Sequence, residues 1–391
     1  VRGVAGVLVA TLAARQSGKP IMLVPYTQVA EAMLVPGVQV VGVRTLAEAV
    51  AFCKGEWQPS ELPESAVLES APDVDLADVR GQQVARLALE IAAAGGHHLA
   101  MFGSPGVGKS MLAARLPTLL PQLDDDLAVQ VTSIHSIAGT LQPNQGLIRR
   151  APFQLPHHTA TTAALIGGGN TTVKVGMVTL AHGGVLCLDE AAEFNRVVLD
   201  ALRIPLESGQ VVIARSGFTT VLPARFQLVL ASNPCPCGKF VNTGADCSCS
   251  PSVRRRYISR ISGPLLDRID LRITLEKPTV ADFDESLPEP ESSQVVSKRV
   301  QQARQRAANR YASYPWKLNA HVPSAIMRRT FSLPSESMSV LRRSLGGLSA
   351  RGIDRVIRVA WTIADLHGNS TPTSADVKLA LEFRDGGGSW E

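Results

Sequence analysis

HHLAMFGSPGVGKS, residues 97–110, is the stretch from which the fold is read. A short apolar run, Leu99 to Phe102, breaks into a loop with glycines at Gly103, Gly106 and Gly108, followed by Lys109 and Ser110. Every fixed position of the phosphate loop G-x-x-x-x-G-K-[ST] is filled, with an apolar strand before it and a helix after it. Glycines let backbone N–H groups close on phosphate oxygens with no side chain in the way. The helix predicted from about Lys109 to Leu116 turns its positive end toward the same anion. Gly103, Ser104, Pro105, Gly106, Val107, Gly108, Lys109, Ser110 and Met111 are therefore the expected nucleotide-binding run. Lys109 supplies a mobile charge for the β- and γ-phosphates, and Ser110 a hydroxyl for Mg²⁺. A glycine-rich turn matching by chance is the alternative; it leaves the agreement of strand, loop and helix unexplained.

Further apolar runs follow. Gly184-Val185-Leu186-Cys187-Leu188 ends in Asp189-Glu190, Phe226 to Ala231 ends in Ser232-Asn233, and Leu271 to Leu275 follows LDRID. Helical patterns separate them, which predicts an α/β fold with a parallel sheet covered on both faces. Polar residues gather at the C-terminal ends of the strands, where open α/β sheets bind ligands. Asp189 is placed to hold Mg²⁺, and Glu190 to orient or deprotonate water. An acidic helix N-terminus would explain the pair by its dipole alone. Asn233 is placed to hydrogen-bond a γ-phosphate or the attacking water, although asparagine is also common in turns. Arg268 is suited to stabilising transition-state charge in a neighbouring subunit; an internal ion pair with Asp267 or Asp270 is the alternative. Among Arg351, Arg355 and Arg358 one is expected to touch the γ-phosphate and the rest to be solvated or bound to partners.

Some 80 residues separate Lys109 from Asp189, so an insertion is expected around residues 132–180. QVVIARSGFTTVLP reads as a hairpin with a basic tip at Arg215-Ser216-Gly217, of a kind that could touch nucleic acid. Cys235, Cys237, Cys247 and Cys249 form two C-x-C pairs in one loop, a set suited to tetrahedral Zn²⁺. The tight spacing leaves reduced thiols open, and disulfides less so because nothing marks export. Cys53 and Cys187 read as small core residues. The histidines of His97-His98 and His157-His158 make poor co-ligands and are assigned structural or interface roles.

The 391 residues suggest two to three domains, and 45% hydrophobic against 19% charged residues suits globular cores. A net charge of +5 is compatible with nucleic acid. No apolar stretch has transmembrane length, and a cytoplasmic protein without membrane partners is expected. The opening VRGVAGVLVATLAA continues into α/β patterning, so it is not read as a signal peptide; lacking Met, the chain is expected to be a fragment or to begin inside a larger domain. Residues 1–55 read as a small α/β unit, 56–75 as a linker, 76–291 as the phosphate-loop core and 292–385 as an all-helical domain.

Together LADVRGQQVARLALEIAAAGGHHLAMFGSPGVGKSMLAARLP, APFQLPHHTAT, LAHGGVLCLDEAAEF, FQLVLASNPCPCG, SGPLLDRIDL and LSARGIDRVIRVAWTIADL resemble the magnesium-chelatase-like AAA+ ATPases of the ComM/YifB family from about Leu76 to Phe383. The resemblance implies a three-layer αβα ATPase core, an inserted hairpin, a helical lid and a hexameric ring of identical chains. It implies Lys109 and Ser110 in Walker A, Asp189 and Glu190 in Walker B, Asn233 as sensor 1, Arg268 as the arginine finger and Arg351 as sensor 2. ATP, Mg²⁺ and structural Zn²⁺ are the implied cofactors, and a branch-migration helicase acting on DNA in recombination or natural transformation the implied activity. A chelatase-type ATPase driving metal into a tetrapyrrole is the alternative. Residues 1–55 resemble the latter part of a Lon-protease-like domain. Leu8 stands where the catalytic lysine of that fold is expected, so no peptidase activity is implied. Lys174-Val175-Gly176-Met177-Val178 departs from the family's usual P-G-E-I and affects the insertion alone.

Overall fold

Strand residues that are apolar at every position cannot leave one face in water, and this sheet is covered on both. The protein is described by a computed structural model covering residues 1–59, 74–142, 145–169, 174–215, 218–240, 246–284, 286, 288–344 and 348–385. Its central strands are β1 (Leu99–Gly103), β2 (Phe153–Gln154), β3 (Val185–Leu188), β4 (Gln227–Ser232) and β5 (Leu271–Leu275). All pair in parallel, in the order β5-β1-β4-β3-β2. Every residue of β1, β3 and β4 is buried. Successive side chains point to opposite faces. Leu99, Met101, Cys187, Val229 and Ile273 thus enter one core, while Ala100, Phe102, Leu186, Leu188 and Leu230 enter the other.

The first core is closed by the Gln83–Gly95 and Lys109–Leu119 helices and by the helical C-terminal region, chiefly Ser293–Arg310 and Ala350–His367. Ala350–His367 also packs on Ser374–Asp385. Ser374–Asp385 begins at a capping box: the Thr373 hydroxyl accepts from the Asp376 N–H at 3.3 Å, and the Asp376 carboxylate accepts from the Thr373 N–H at 2.8 Å. The insertion holds the helix Asp125–Ala138, the edge strand β2 and two short helices, Thr162–Ile166 and Met177–Leu180. Two residues carry no periodicity, so β2 is not legible from sequence. Its position is fixed at Gly184, where an added Cβ would lie 2.0 Å from the Pro152 carbonyl oxygen. Without a side chain there, Pro152 accepts from the Val185 N–H at 2.8 Å.

Residues 1–55 form a parallel pair of strands, Ile21–Pro25 and Gln39–Val43, packed with the Val7–Gln16 helix around Val7, Val24, Val29, Ala32 and Val40. The unit leans on Asp125–Ala138: the Gly6 N–H donates to the Ser136 carbonyl at 3.0 Å, and the Ser136 hydroxyl to Glu31 at 2.5 Å. Cys53 corrects its expectation. It is exposed, because the Leu46–Lys54 helix that carries it buries none of its residues. Cys187 is buried in β3, as expected. The hairpin forms from Gln210–Arg215 and Phe218–Pro223. The residues Ser216 and Gly217 of its expected basic tip lie outside the described residues, as does most of the expected linker. No described helix is long and apolar enough to cross a membrane.

Candidate nucleotide site

The C-terminal ends of β1, β3 and β4 lie side by side, and the expected residues meet there. Lys109 begins the helix after the loop and turns back toward β1. Its ammonium donates to the Gly103 carbonyl at 2.7 Å, the Ser104 carbonyl at 2.9 Å and the Asn233 amide oxygen at 3.0 Å. All three of its donors are thus engaged. Burial lowers its pKa, and the nearby Asp189 and Glu190 oppose that shift. The Ser110 hydroxyl donates to one oxygen of Asp189, and the other accepts from the Glu190 N–H at 2.8 Å. Ser110 and Asp189 thus bring two hard oxygens together at the loop, a donor set that suits Mg²⁺. Val107 is buried, whereas Pro105 and Met111 are exposed; the Met111 carbonyl accepts from Arg115 at 2.8 Å.

The contacts of two residues at this edge, Gln82 and His158, were not legible in the sequence. Gln82, before the Gln83–Gly95 helix, donates to the Val107 carbonyl at 3.4 Å and the Glu276 carbonyl at 2.7 Å, tying the phosphate loop to the end of β5. The His158 Nδ1 lies 3.2 Å from the Glu190 carboxylate. Gln82 and Glu190 are the described non-glycine residues with positive φ, at 53° and 52°. Each such residue costs about 1–3 kcal/mol, a strain that collects at functional sites.

Asn233 leads directly into the cysteine loop. The Sγ atoms of Cys235, Cys237 and Cys247 are 3.4, 3.7 and 3.7 Å apart, and with Cys249 all four lie within 4.8 Å of one another. A tetrahedron of Zn–S bonds near 2.3 Å has edges of about 3.8 Å, so the thiols are already spaced for zinc. The Lys239 N–H aimed at Cys237 draws its pKa down to about 6, and burial pushes Cys235 up to about 12. The loop rests on the phosphate loop: a Cβ on Gly238 would lie 2.5 Å from Pro105.

Arg268 is elsewhere. It precedes β5, whose register pairs Leu271 with Leu99 and Leu275 with Gly103. That puts it at the N-terminal edge of the sheet, beyond a strand length on the order of 13 Å from the phosphate loop. Its guanidinium donates to Glu207 and to the Pro264 carbonyl, not to Asp267 or Asp270. Asp267 takes Arg384 instead, and Asp270 takes Arg355 at 2.5 Å. Arg351 is exposed in the first turn of its helix, without a polar contact among the described residues. Arg355 and Arg358 correct the expectation of solvated or partner-bound arginines. Arg355 bonds Asp270 and the Asp267 carbonyl, and Arg358 bonds the Val322 carbonyl and Ser324, so both fasten the helical region from inside. Burial raises the pKa of Asp270, but Arg355 and His97 outweigh it and hold the carboxyl well below its usual range. His97 and His98 are structural, the first on Thr362 at 2.7 Å, the second accepting from the Leu228 N–H at 3.0 Å.

A five-stranded parallel sheet in this order, with a phosphate loop after its second strand in space and an Asp-Glu pair two strands away, defines a magnesium-chelatase-like AAA+ protein. The family described as "Magnesium chelatase, subunit ChlI" matches residues 75–283, and its C-terminal counterpart matches residues 290–384. The chain belongs to this family and, within it, to the ComM/YifB group. It is 46% identical over 389 residues to the uncharacterized protein Rv2897c of Mycobacterium tuberculosis, covering 99% of this chain and 76% of that one. To the competence protein ComM of Haemophilus influenzae it is 39% identical over 392 residues, 98% of this chain and 75% of the relative. Against YifB of Escherichia coli the figures are 38%, 98% and 74%. A more distant likeness, 27% over 46% of this chain and 23% of the other, links it to a probable DNA helicase, MCM9, of Arabidopsis thaliana.

Proposed function

We infer that this chain is a Mg²⁺-dependent ATP hydrolase that works as a homo-hexameric ring and moves DNA, in the manner of a branch-migration helicase. The observation that carries the reading is the convergence of Lys109, Ser110, Asp189, Glu190 and Asn233 at one sheet edge. ATP lies with its phosphates on the loop N–H groups and the helix N-terminus. Lys109 exchanges its carbonyl partners for β- and γ-phosphate oxygens. Glu190 accepts a proton from water as the water oxygen bonds to the γ-phosphorus. The bond from that phosphorus to the bridging oxygen breaks, ADP leaves, and the proton passes to the phosphate released. Asn233 orients the water or the γ-phosphate. Ser110 and Asp189 would hold Mg²⁺, which would supply positive charge to the phosphate oxygens. The four cysteines would hold Zn²⁺, which would brace the loop that follows Asn233.

Arg268 supports assembly. It lies at the sheet edge opposite its own chain's phosphate loop, so a nucleotide it reaches would be held by a neighbouring copy. The names of the ComM and MCM relatives, together with the net charge of +5, favour DNA as the track. ATP turnover measured with single-stranded, duplex and four-way-junction DNA tests this, with at least one of them raising the rate. Turnover indifferent to all three rejects the DNA assignment while leaving the ATPase standing. The family description favours one other reading, an ATPase subunit that drives metal into a tetrapyrrole. In that case turnover responds to a chelatase partner subunit instead.

A further inference from the structure

We propose that Glu207 is a positioning residue for Arg268: it holds the arginine back and surrenders it when DNA displaces the hairpin. This rests on the reading of Arg268 as acting on a neighbouring copy's nucleotide and of DNA as the track. The guanidinium donates to the Pro264 carbonyl at 2.6 Å and to the Glu207 carboxylate, and its buried Nε has no partner among the described residues. A buried donor left open is costly, so the single chain leaves this guanidinium short of a full set of acceptors. The two partners are also placed unequally: the Arg268 side chain is 9% exposed and that of Glu207 58%. The carboxylate is thus the half of the pair that can leave into water.

The backbone on either side of Arg268 is pinned. The Ser262 hydroxyl donates to Asp200 at 2.6 Å, and Asp270 is held by Arg355 at 2.5 Å. What can change is therefore the partner of the side chain. Glu207 lies on the helix Arg203–Ser208, which runs into the first hairpin strand, Gln210–Arg215, through Gly209 alone. That junction is tight. The Gly209 N–H donates to the Pro205 carbonyl at 2.8 Å, the Gly209 carbonyl accepts from the Ala224 N–H at 2.8 Å, and the Ser208 hydroxyl accepts from the Gln210 N–H at 3.2 Å. Helix and hairpin base move together, so a load on the hairpin is carried to Glu207. Val211 and Ile213 of the hairpin are buried, while its cross-strand pair Val212 and Val221 is exposed, so one face stays open to a load. The exchange is within reach: a solvent-facing ion pair biases an equilibrium by about 5-fold at most. A phosphate offers the guanidinium more acceptor oxygens in return.

The test uses the full chain with Glu207→Gln, Arg268→Ala and the two together. The readout is kcat and KM for ATP, without DNA and with single-stranded, duplex or four-way-junction DNA. Gln keeps the shape of the side chain and removes its charge. Without DNA, Glu207→Gln is expected to raise kcat about 2- to 5-fold, with KM near the parent's. The further rise on adding DNA shrinks by the same factor, and in the double variant the gain disappears. An unchanged or lowered DNA-free kcat, a gain that follows KM, an undiminished response to DNA, or a gain that survives Arg268→Ala overturns the role of Glu207. A parent whose turnover is indifferent to Arg268→Ala, or to all three DNAs, overturns the reading beneath it, and the role with it. A parent that depends on both, beside a Glu207→Gln variant of equal rate, removes the role of Glu207 alone.

Discussion

Lys109 and Arg268 sit at opposite edges of one sheet, both cationic and nearly buried, at 8% and 7% exposure. They are held in different ways. Lys109 rests on two carbonyls and an amide oxygen, all neutral, so its charge is left for an incoming anion. Arg268 is held by the Glu207 carboxylate and one carbonyl, and its buried Nε has no partner among the described residues. The first edge is a pocket that one chain completes. The second is a cation held against a carboxylate, and in the proposed ring Glu207 would have to release it before it could meet a phosphate. On this account binding belongs to a single chain and hydrolysis to two.

Breaking the first edge has the largest expected effect. Lys109→Ala removes the charge and its three contacts, and both tight ATP binding and turnover are expected to vanish in equilibrium-binding and phosphate-release measurements. Arg268→Ala separates the two edges: ATP affinity stays near the parent's while kcat falls about 10³-fold or more, the range seen for such arginines. An equal loss of affinity places Arg268 in its own chain's pocket and dissolves the contrast.

Below these stands the buried latch between sheet and helical region. Asp270→Asn leaves Arg355 without its carboxylate, and one broken buried pair costs about 3–5 kcal/mol. A fall in chemical-denaturation stability of that order is expected, with an unaltered fold at low denaturant. The smallest effect belongs to the cysteine loop. Cys237→Ser is expected to lower bound zinc, read by metal analysis of the purified protein, and to weaken ATP turnover modestly through Pro105 and Asn233. Absence of zinc from the parent rejects the metal assignment.

The site was legible in sequence because its polar residues come directly after largely apolar buried strands, or after the phosphate loop that follows one. Asp189, Glu190 and Asn233 follow their strands at once, and Lys109 and Ser110 close the glycine loop after β1. His158 has no such signal, because β2 has two residues and no pattern; only the paired register reveals that it arrives beside Glu190. Glu207 was missed for a related reason. Arg268 has acidic neighbours in sequence at Asp267 and Asp270, but these are turned toward Arg384 and Arg355 of the helical region. Arg355 and Arg358 read as surface charges because a basic stripe on a helix usually is one. Here that face meets carbonyls and carboxylates left open by the sheet and by the Val322–Ser324 segment.

The central claim, that one chain grips ATP and the next helps break it, is tested by mixing two inactive variants. Lys109→Ala keeps Arg268 but has lost its pocket; Arg268→Ala keeps its pocket but has lost the arginine. When they are combined, the arginine of the first is expected to serve the nucleotide of the second, and ATP turnover rises well above the sum of the two alone. A mixture no more active than that sum contradicts the account.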